Sequence, residues 1–263
     1  MTEIAPGIRV MLAPNPGPMT LDGTNTWILG SRTPDGPVGP SIVVDPGPLD
    51  EGHLRRVHTE AGEVTDILLT HRHLDHSEGL ARFAQLTGSG VRAADPAYAI
   101  PSGAADGRLD EGLQLAIGDL AVRVIATPGH TSDSTSLLVS GPADRWLLTG
   151  DMVLGRGTTV ITHPDGDLGA YLGSLEVLSD VVREHAVTAI LPGHGPVVTD
   201  PEAVLTFYRE HRRQRLDQVR DALRQGDSTS AQVVARVYAD VDRSVWPAAE
   251  QSVRAQLDYL RSS

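Results

Sequence analysis

Residues 71 to 76 read HRHLDH, which sets His71, His73, Asp75 and His76 directly behind the apolar run ILLT at positions 67–70. Three later segments repeat the order of apolar run, short turn and donor side chain. His130 follows VRVIATPG, Asp151 follows RWLLTG and His194 follows TAILPG. Five imidazoles and two carboxylates form the donor set of a divalent metal site. Neutral imidazole is a borderline donor that suits zinc at about 2.0–2.1 Å, and a carboxylate can bridge two ions. Two cations about 3.5–4 Å apart share a water, lower its pKa toward ~7 and present hydroxide at neutral pH. Alternate His71 and His73 share a direction only in an extended segment, and Asp75 and His76 face a second ion if the chain then turns into a helix. Four coordinating groups packed behind a buried strand serve no structural purpose. The isolated His53, His58, His163, His185 and His211 read instead as solvated or hydrogen-bonded residues.

Such convergence requires elements that end on one edge. Short β-branched runs at 41–45, 64–70, 120–127, 135–140, 145–151 and 187–191 read as buried strands. Helical spacing is expected over 77–86, with Ser77 as a cap, and over 167–184, where Leu168, Tyr171, Leu172, Leu175, Leu178 and Val182 recur. Mixed strands and helices over about 200 residues predict an α/β layered domain, whose strand C-termini gather where ligands bind. The 27 glycines and 18 prolines concentrate in the first fifty residues and behind the strands, making a loop-rich protein. The polar, glycine-rich stretch 155–167 has the composition of a substrate loop, although Tyr171 reads as core and Thr159 carries no assignment.

Composition removes other chemistries. All 22 basic residues are arginine, so Schiff-base lysines and P-loop lysines are excluded, and with no cysteine there is no disulfide, thiolate nucleophile or thiolate ligand. The chain has no apolar run near the roughly 18 residues of a membrane span and no signal-like start, so cytoplasmic residence without membrane contact is expected. Its net charge is −12, but residues 202–263 carry ten arginines against nine acids. That tail reads as three helices, over 202–225, 228–238 and 247–260. Arg209, Arg212, Arg213 and Arg215, in YREHRRQR, are its best candidates for phosphate contacts, weighed against a solvated helix face.

HRHLDH matches the HxHxDH signature of the metallo-β-lactamase superfamily. DPG (Asp45–Gly47), TPGHT (Thr127–Thr131), GD (Gly150–Asp151) and PGHG (Pro192–Gly195) follow in that family's order. The resemblance implies a four-layer αβ/βα sandwich over residues 1–201. A small C-terminal all-helical module, winged-helix-like with its wing missing, would occupy 202–263. It further implies a dinuclear centre of two Zn²⁺, with iron or manganese as alternatives. His71, His73 and His130 would hold one ion, Asp75, His76 and His194 the other, and Asp151 would bridge them. Asp75 would also orient the nucleophile in catalysis, and Asp45 would orient a ligand histidine from outside.

β-Lactam hydrolysis is not implied, because the enzymes that perform it usually carry cysteine at the position of Asp151. The stretch from Asn15 to Gly30 resembles the opening of the beta-lactamase-like protein 2 branch, whose relatives include endoribonucleases acting on single-stranded RNA and glyoxalase II-like thioesterases. Glutathione thioesters are disfavoured, since His194 precedes Gly-Pro rather than Glu-Tyr and lysine is absent. An RNA substrate must overcome the acidic balance. The expected activity is therefore metal-dependent hydrolysis of a phosphodiester, such as single-stranded RNA, or of a small-molecule thioester or ester. An iron-dependent persulfide dioxygenase of the same fold is the oxidative alternative, and a non-catalytic scaffold would normally have lost ligands.

Overall fold

The structure, a computed structural model, describes residues 1–33, 36–103 and 106–262. Its first half contains β1 (Thr2–Ala5), β2 (Ile8–Leu12), β3 (Asn25–Leu29), a short pair β4 (Arg32–Thr33) and β5 (Gly36–Pro37), β6 (Ser41–Val44), α1 (Glu51–Ala61), β7 (Val64–Leu68), α2 (Leu74–Ser77), α3 (Leu80–Thr87) and β8 (Gly90–Arg92). The second half contains β9 (Gln114–Ile117), β10 (Leu120–Ala126), β11 (Thr135–Ser140), β12 (Arg145–Gly150), α4 (Leu168–His185), β13 (Ala189–Pro192), α5 (Pro201–Arg224), α6 (Ser230–Val237) and α7 (Trp246–Ser262).

The strands form a six-stranded sheet, ordered β1-β2-β3-β6-β7-β8, and a five-stranded sheet, ordered β13-β12-β11-β10-β9. Side chains alternate along each strand, so a run that is apolar throughout is buried on both faces. Ile42 and Val44 point into the core between the sheets while Val43 meets the helices outside. Leu137 and Val139 likewise point between the sheets, and Leu138 faces α4. Leu54, Val57 and Phe83 of α1 and α3 close one outer face; Tyr171, Leu175 and Leu178 of α4, with Leu205 and Tyr208 of α5, close the other. The result is the four-layer αβ/βα arrangement, and each of these aliphatic side chains contributes about 1.5–3 kcal/mol by leaving water.

Helix starts are set by short polar side chains. Asp167 accepts from Ala170 N at 2.7 Å to cap α4, and Asp200 accepts from Ala203 N at 3.0 Å ahead of Pro201 in α5. Ser77 does not cap a helix over 77–86. The helix breaks at Glu78–Gly79, where Gly79 N donates to Gly47 O at 2.9 Å, and Ser77 Oγ instead donates to Arg72 O. The tail helices pack a small core of Val219, Ala222, Val233, Val234, Val253 and Leu257, while the start of α5 belongs to the main core. Among the described residues no helix is long and apolar enough to cross a membrane.

Candidate metal centre

β6, β7 and β8 are mutually parallel, as are β12 and β13, and β10 runs with β12 across the antiparallel β11. The turns after β6, β7, β10, β12 and β13 therefore open on one edge. Cross-sheet bonds hold the two edges together: Thr135 N donates to Thr70 O at 2.9 Å, and Asn25 N to Gly193 O at 2.8 Å. His73 is extended (φ −57°, ψ 142°) and precedes the single turn of α2, so the segment changes from strand-like to helical between its histidines. Glycine lets the turns approach: a Cβ on Gly193 would lie 2.4 Å from Asp151 Oδ1, and one on Gly129 would lie 2.3 Å from Tyr171 Cα.

All seven expected ligands come together, in two groups. In the first, His73 Nδ1 lies 3.0 Å from both His71 Nε2 and His130 Nε2, and Asp151 Oδ2 is 3.9 and 3.8 Å from those two Nε2 atoms. In the second, His76 Nε2 and His194 Nε2 are 3.2 Å apart, at 3.3 and 3.1 Å from Asp75 Oδ2. Asp151 reaches this group as well, with Oδ1 at 3.4 Å from His76 Nε2 and Oδ2 at 3.3 Å from His194 Nε2.

The outer nitrogens decide what the inner ones can do. His76 Nδ1 faces Asp45 Oδ2 at 2.8 Å, His194 Nδ1 faces the Gly23 carbonyl at 3.1 Å and His130 Nδ1 faces the Val160 carbonyl at 2.5 Å. His71 Nδ1 faces Thr70 Oγ1 at 3.1 Å, and that hydroxyl itself donates to Asp45 Oδ2. Each of these Nδ1 atoms donates to its acceptor, so the rings in their neutral form direct four Nε2 lone pairs inward. Asp151 Oδ1 is buried and lacks a hydrogen-bond partner. A divalent cation satisfies such converging lone pairs, so the residues fit a metal.

Electrostatics separates the groups. Burial pushes His130 down to about 4 against the pull of Asp151, and burial reinforced by His76 holds His71 well below the ordinary range. For His76 and His194 burial is outweighed. Asp75, Asp151 and Asp45 hold His76 well above its usual value, and Asp151 and Asp75 raise His194 to about 9. Burial favours the neutral form of Asp75, but His76 and His194 prevail and keep it ionised.

Asp45, at φ +52°, is buried after β6 and accepts from Thr70 N at 2.8 Å as well as facing His76. Residues not singled out from the sequence also shape the site. Thr24 Oγ1 donates to Asp75 Oδ2 at 3.0 Å and is held by Asn15, a function of the proline-rich stretch that spacing alone does not reveal. Arg72 lies between His71 and His73 and pairs with Asp95, Asp133 and Asp165, tying three loops together.

The arginines of 209–215 do not form one phosphate-binding face. Arg212 is buried, donating to Thr159 O and stacking on Tyr171, and Arg215 stacks on Tyr238 and donates to Val237 O. The warning lay in the helical stripe itself: Arg212 occupies its place between Leu205, Tyr208, Leu216 and Val219. Tyr171 is core, its hydroxyl donating to Met152 O at 2.6 Å. His53 is buried against Thr26 Oγ1, and His163 faces Asp258.

The family model described as metallo-beta-lactamase superfamily matches residues 19–194, and the beta-lactamase associated winged helix domain matches residues 229–262. The chain is 32% identical to the beta-lactamase-like protein 2 homolog of Drosophila melanogaster, over 99% of this chain and 89% of that protein. It is also 32% identical to an atrochrysone carboxyl ACP thioesterase of Aspergillus chevalieri, over 92% of this chain and 77% of that protein. A metallo-beta-lactamase family protein from Thermus thermophilus shares the fold, with a TM-score of 0.79 at 20% identity over 99% of this chain and 95% of that one. With its sheets, its converging donors and these relatives in agreement, the chain belongs to the metallo-beta-lactamase superfamily of hydrolytic enzymes.

Proposed function

We propose that this protein is a dinuclear zinc hydrolase acting on a thioester or ester. His71, His73 and His130 hold one ion, Asp75, His76 and His194 hold the other, and Asp151 is shared. Asp151 carries the two-ion reading, because its carboxylate lies within 3.9 Å of ligand atoms in both groups. Zinc follows from the imidazole-rich, thiolate-free donor set, with iron and manganese as the alternatives to test. Residues 1–201 form the catalytic domain and 202–263 the helical module.

When bound, ions of this kind acidify water and polarise the oxygen of the bond under attack. The chain's own groups supply orientation. Asp75 Oδ2, fixed by Thr24 and held ionised, accepts a hydrogen bond from the attacking water and sets its direction. A carboxylate beside bound cations stays ionised, so it would orient the water rather than take up its proton. The outer acceptors Asp45, Gly23 O and Val160 O keep three ring nitrogens in the tautomer that faces inward.

The preference for a thioester or ester over RNA rests on charge. Arg72 is committed to three carboxylates at the rim, Arg212 to Thr159 O and Arg215 to Val237 O, so these arginines are not offered to a phosphate backbone. Leu74, 69% exposed between His73 and Asp75, adds apolar surface beside the site. The thioesterase relative supports the same reading. The test pairs acyl thioesters, on coenzyme A and on a carrier protein, with a labelled single-stranded RNA, using Asp151→Ala as control. Thioester turnover that disappears in the variant is expected. RNA cleavage dependent on Asp151, with thioesters untouched, would contradict the substrate assignment.

A further inference from the structure

We infer that Arg212 is a positioning residue for the first metal position, acting through residues 159–162 on His130 and His73. The inference rests on the ligand assignment just proposed. This loop alternates between two sets of partners. Toward the site, Thr159 Oγ1 lies 3.2 Å and the Val160 carbonyl 2.5 Å from His130 Nδ1. Thr162 N donates to His130 O at 3.1 Å, and Thr162 Oγ1 lies 3.4 Å from His73 Nε2. Toward the tail, the Thr159 carbonyl accepts from Arg212 Nη2, and Ile161 N donates to Ser252 Oγ of α7 at 3.1 Å. The tail helices therefore grip the peptide that carries the Val160 carbonyl, through Ile161 N, and the peptide before it, through Thr159 O.

Arg212 is an expensive choice for that place. Arg212 is 3% exposed, its Nε lacks a partner, and its ring contact is the face of Tyr171 at 4.8 Å. An apolar side chain would continue the buried stripe without desolvating a cation. What the apolar side chain could not do is donate to Thr159 O. The outer nitrogens of His76 and His194 are held elsewhere, donating to Asp45 and to the Gly23 carbonyl, neither of which Arg212 touches.

The experiment is a zinc-affinity cycle by chelator competition on the full chain. It compares wild type, Arg212→Met, Arg212→Lys and Ser252→Ala, each also in a His194→Ala background that spares the first position and in a His130→Ala background that damages it. Outer-shell partners of ligand histidines typically tune metal affinity by about 10–100-fold. Acting one bond further out, Arg212→Met is expected to weaken zinc about tenfold in the wild-type and His194→Ala backgrounds and to change nothing in the His130→Ala background. Arg212→Lys, which keeps a donor, is expected to recover part of the loss, and Ser252→Ala to show a smaller loss of the same pattern. Unchanged affinity in Arg212→Met, or an equal loss in both backgrounds, would overturn the inference. Should Arg212→Met fail to fold, Ser252→Ala decides by the same two criteria. A wild type that binds no zinc would instead overturn the ligand assignment.

Discussion

His76 and His194 are held by the first half of the chain, at buried Asp45 after β6 and at the Gly23 carbonyl. His130 and His73 are held by residues 159–162, which lie in no helix or strand and are themselves fixed by α5 and α7. One group leans on a sheet edge and the other on a loop braced by the tail. His71 sits between these regimes, reaching Asp45 through Thr70. The comparison shows that neighbouring donors a few ångströms apart can depend on distant parts of one chain, so substitutions at those distant supports, unlike ones at the donors themselves, should have separable effects.

Asp151 is the residue common to both groups, and its removal is expected to erase the difference between them. Asp151→Ala should cost more than about 100-fold in turnover, above the 10–100-fold typical of outer-shell changes, and should lower the zinc bound per chain. Steady-state kinetics with metal analysis checks this.

Asp45→Ala probes the sheet-supported side, together with His71 through Thr70. It removes the acceptor of His76 Nδ1 and of Thr70 N and Oγ1, so turnover should fall about 10–100-fold. Stability should fall by about 1–3 kcal/mol from the buried donors left unpaired. Urea denaturation and zinc competition read the two losses. The pattern should differ from that of Arg212→Met by reaching His76.

Acid should test the first half independently of the metal ligands. Burial, with Arg56 adding to it, lowers His53 to about 4 from an ordinary value near 6.5. The unfolded chain then binds the proton more readily between those values. The contribution of His53 is complete above about pH 6.5 and is lost as pH falls toward 4, about 2 kcal/mol by pH 4.5. Urea midpoints of wild type and His53→Gln across this range measure it, and the variant should show the shallower slope.

Leu74→Glu is expected to have the smallest effect. As a surface change it should leave stability within about 0.5 kcal/mol, while raising KM several-fold for long acyl thioesters. Equal KM values for short and long acyl chains would remove Leu74 from the substrate argument.

Much of this arrangement is legible in residue order, because the donors follow apolar runs and both signals are local. β6, β7, β10 to β13, α4 and the three tail helices show as runs or as helical spacing, whereas β8 and β9, three and four residues long, do not. The opening strands do not, since β1 and β2 are partly exposed and β3 emerges from a Pro- and Gly-rich stretch. α1 is hidden by its charge, with only His53, Leu54, Val57 and Ala61 buried. Thr24 on Asp75 and Arg212 on Thr159 are contacts across 51 and 53 residues, and pairs of that kind leave no spacing to read.

The most direct measurement is zinc stoichiometry of the chelator-stripped protein, titrated alongside Asp151→Ala while thioester hydrolysis is followed. The account predicts about two ions bound per wild-type chain, activity returning with them, and fewer ions with little activity in the variant. A wild type that binds none, or a variant that binds and turns over as the wild type does, would contradict it.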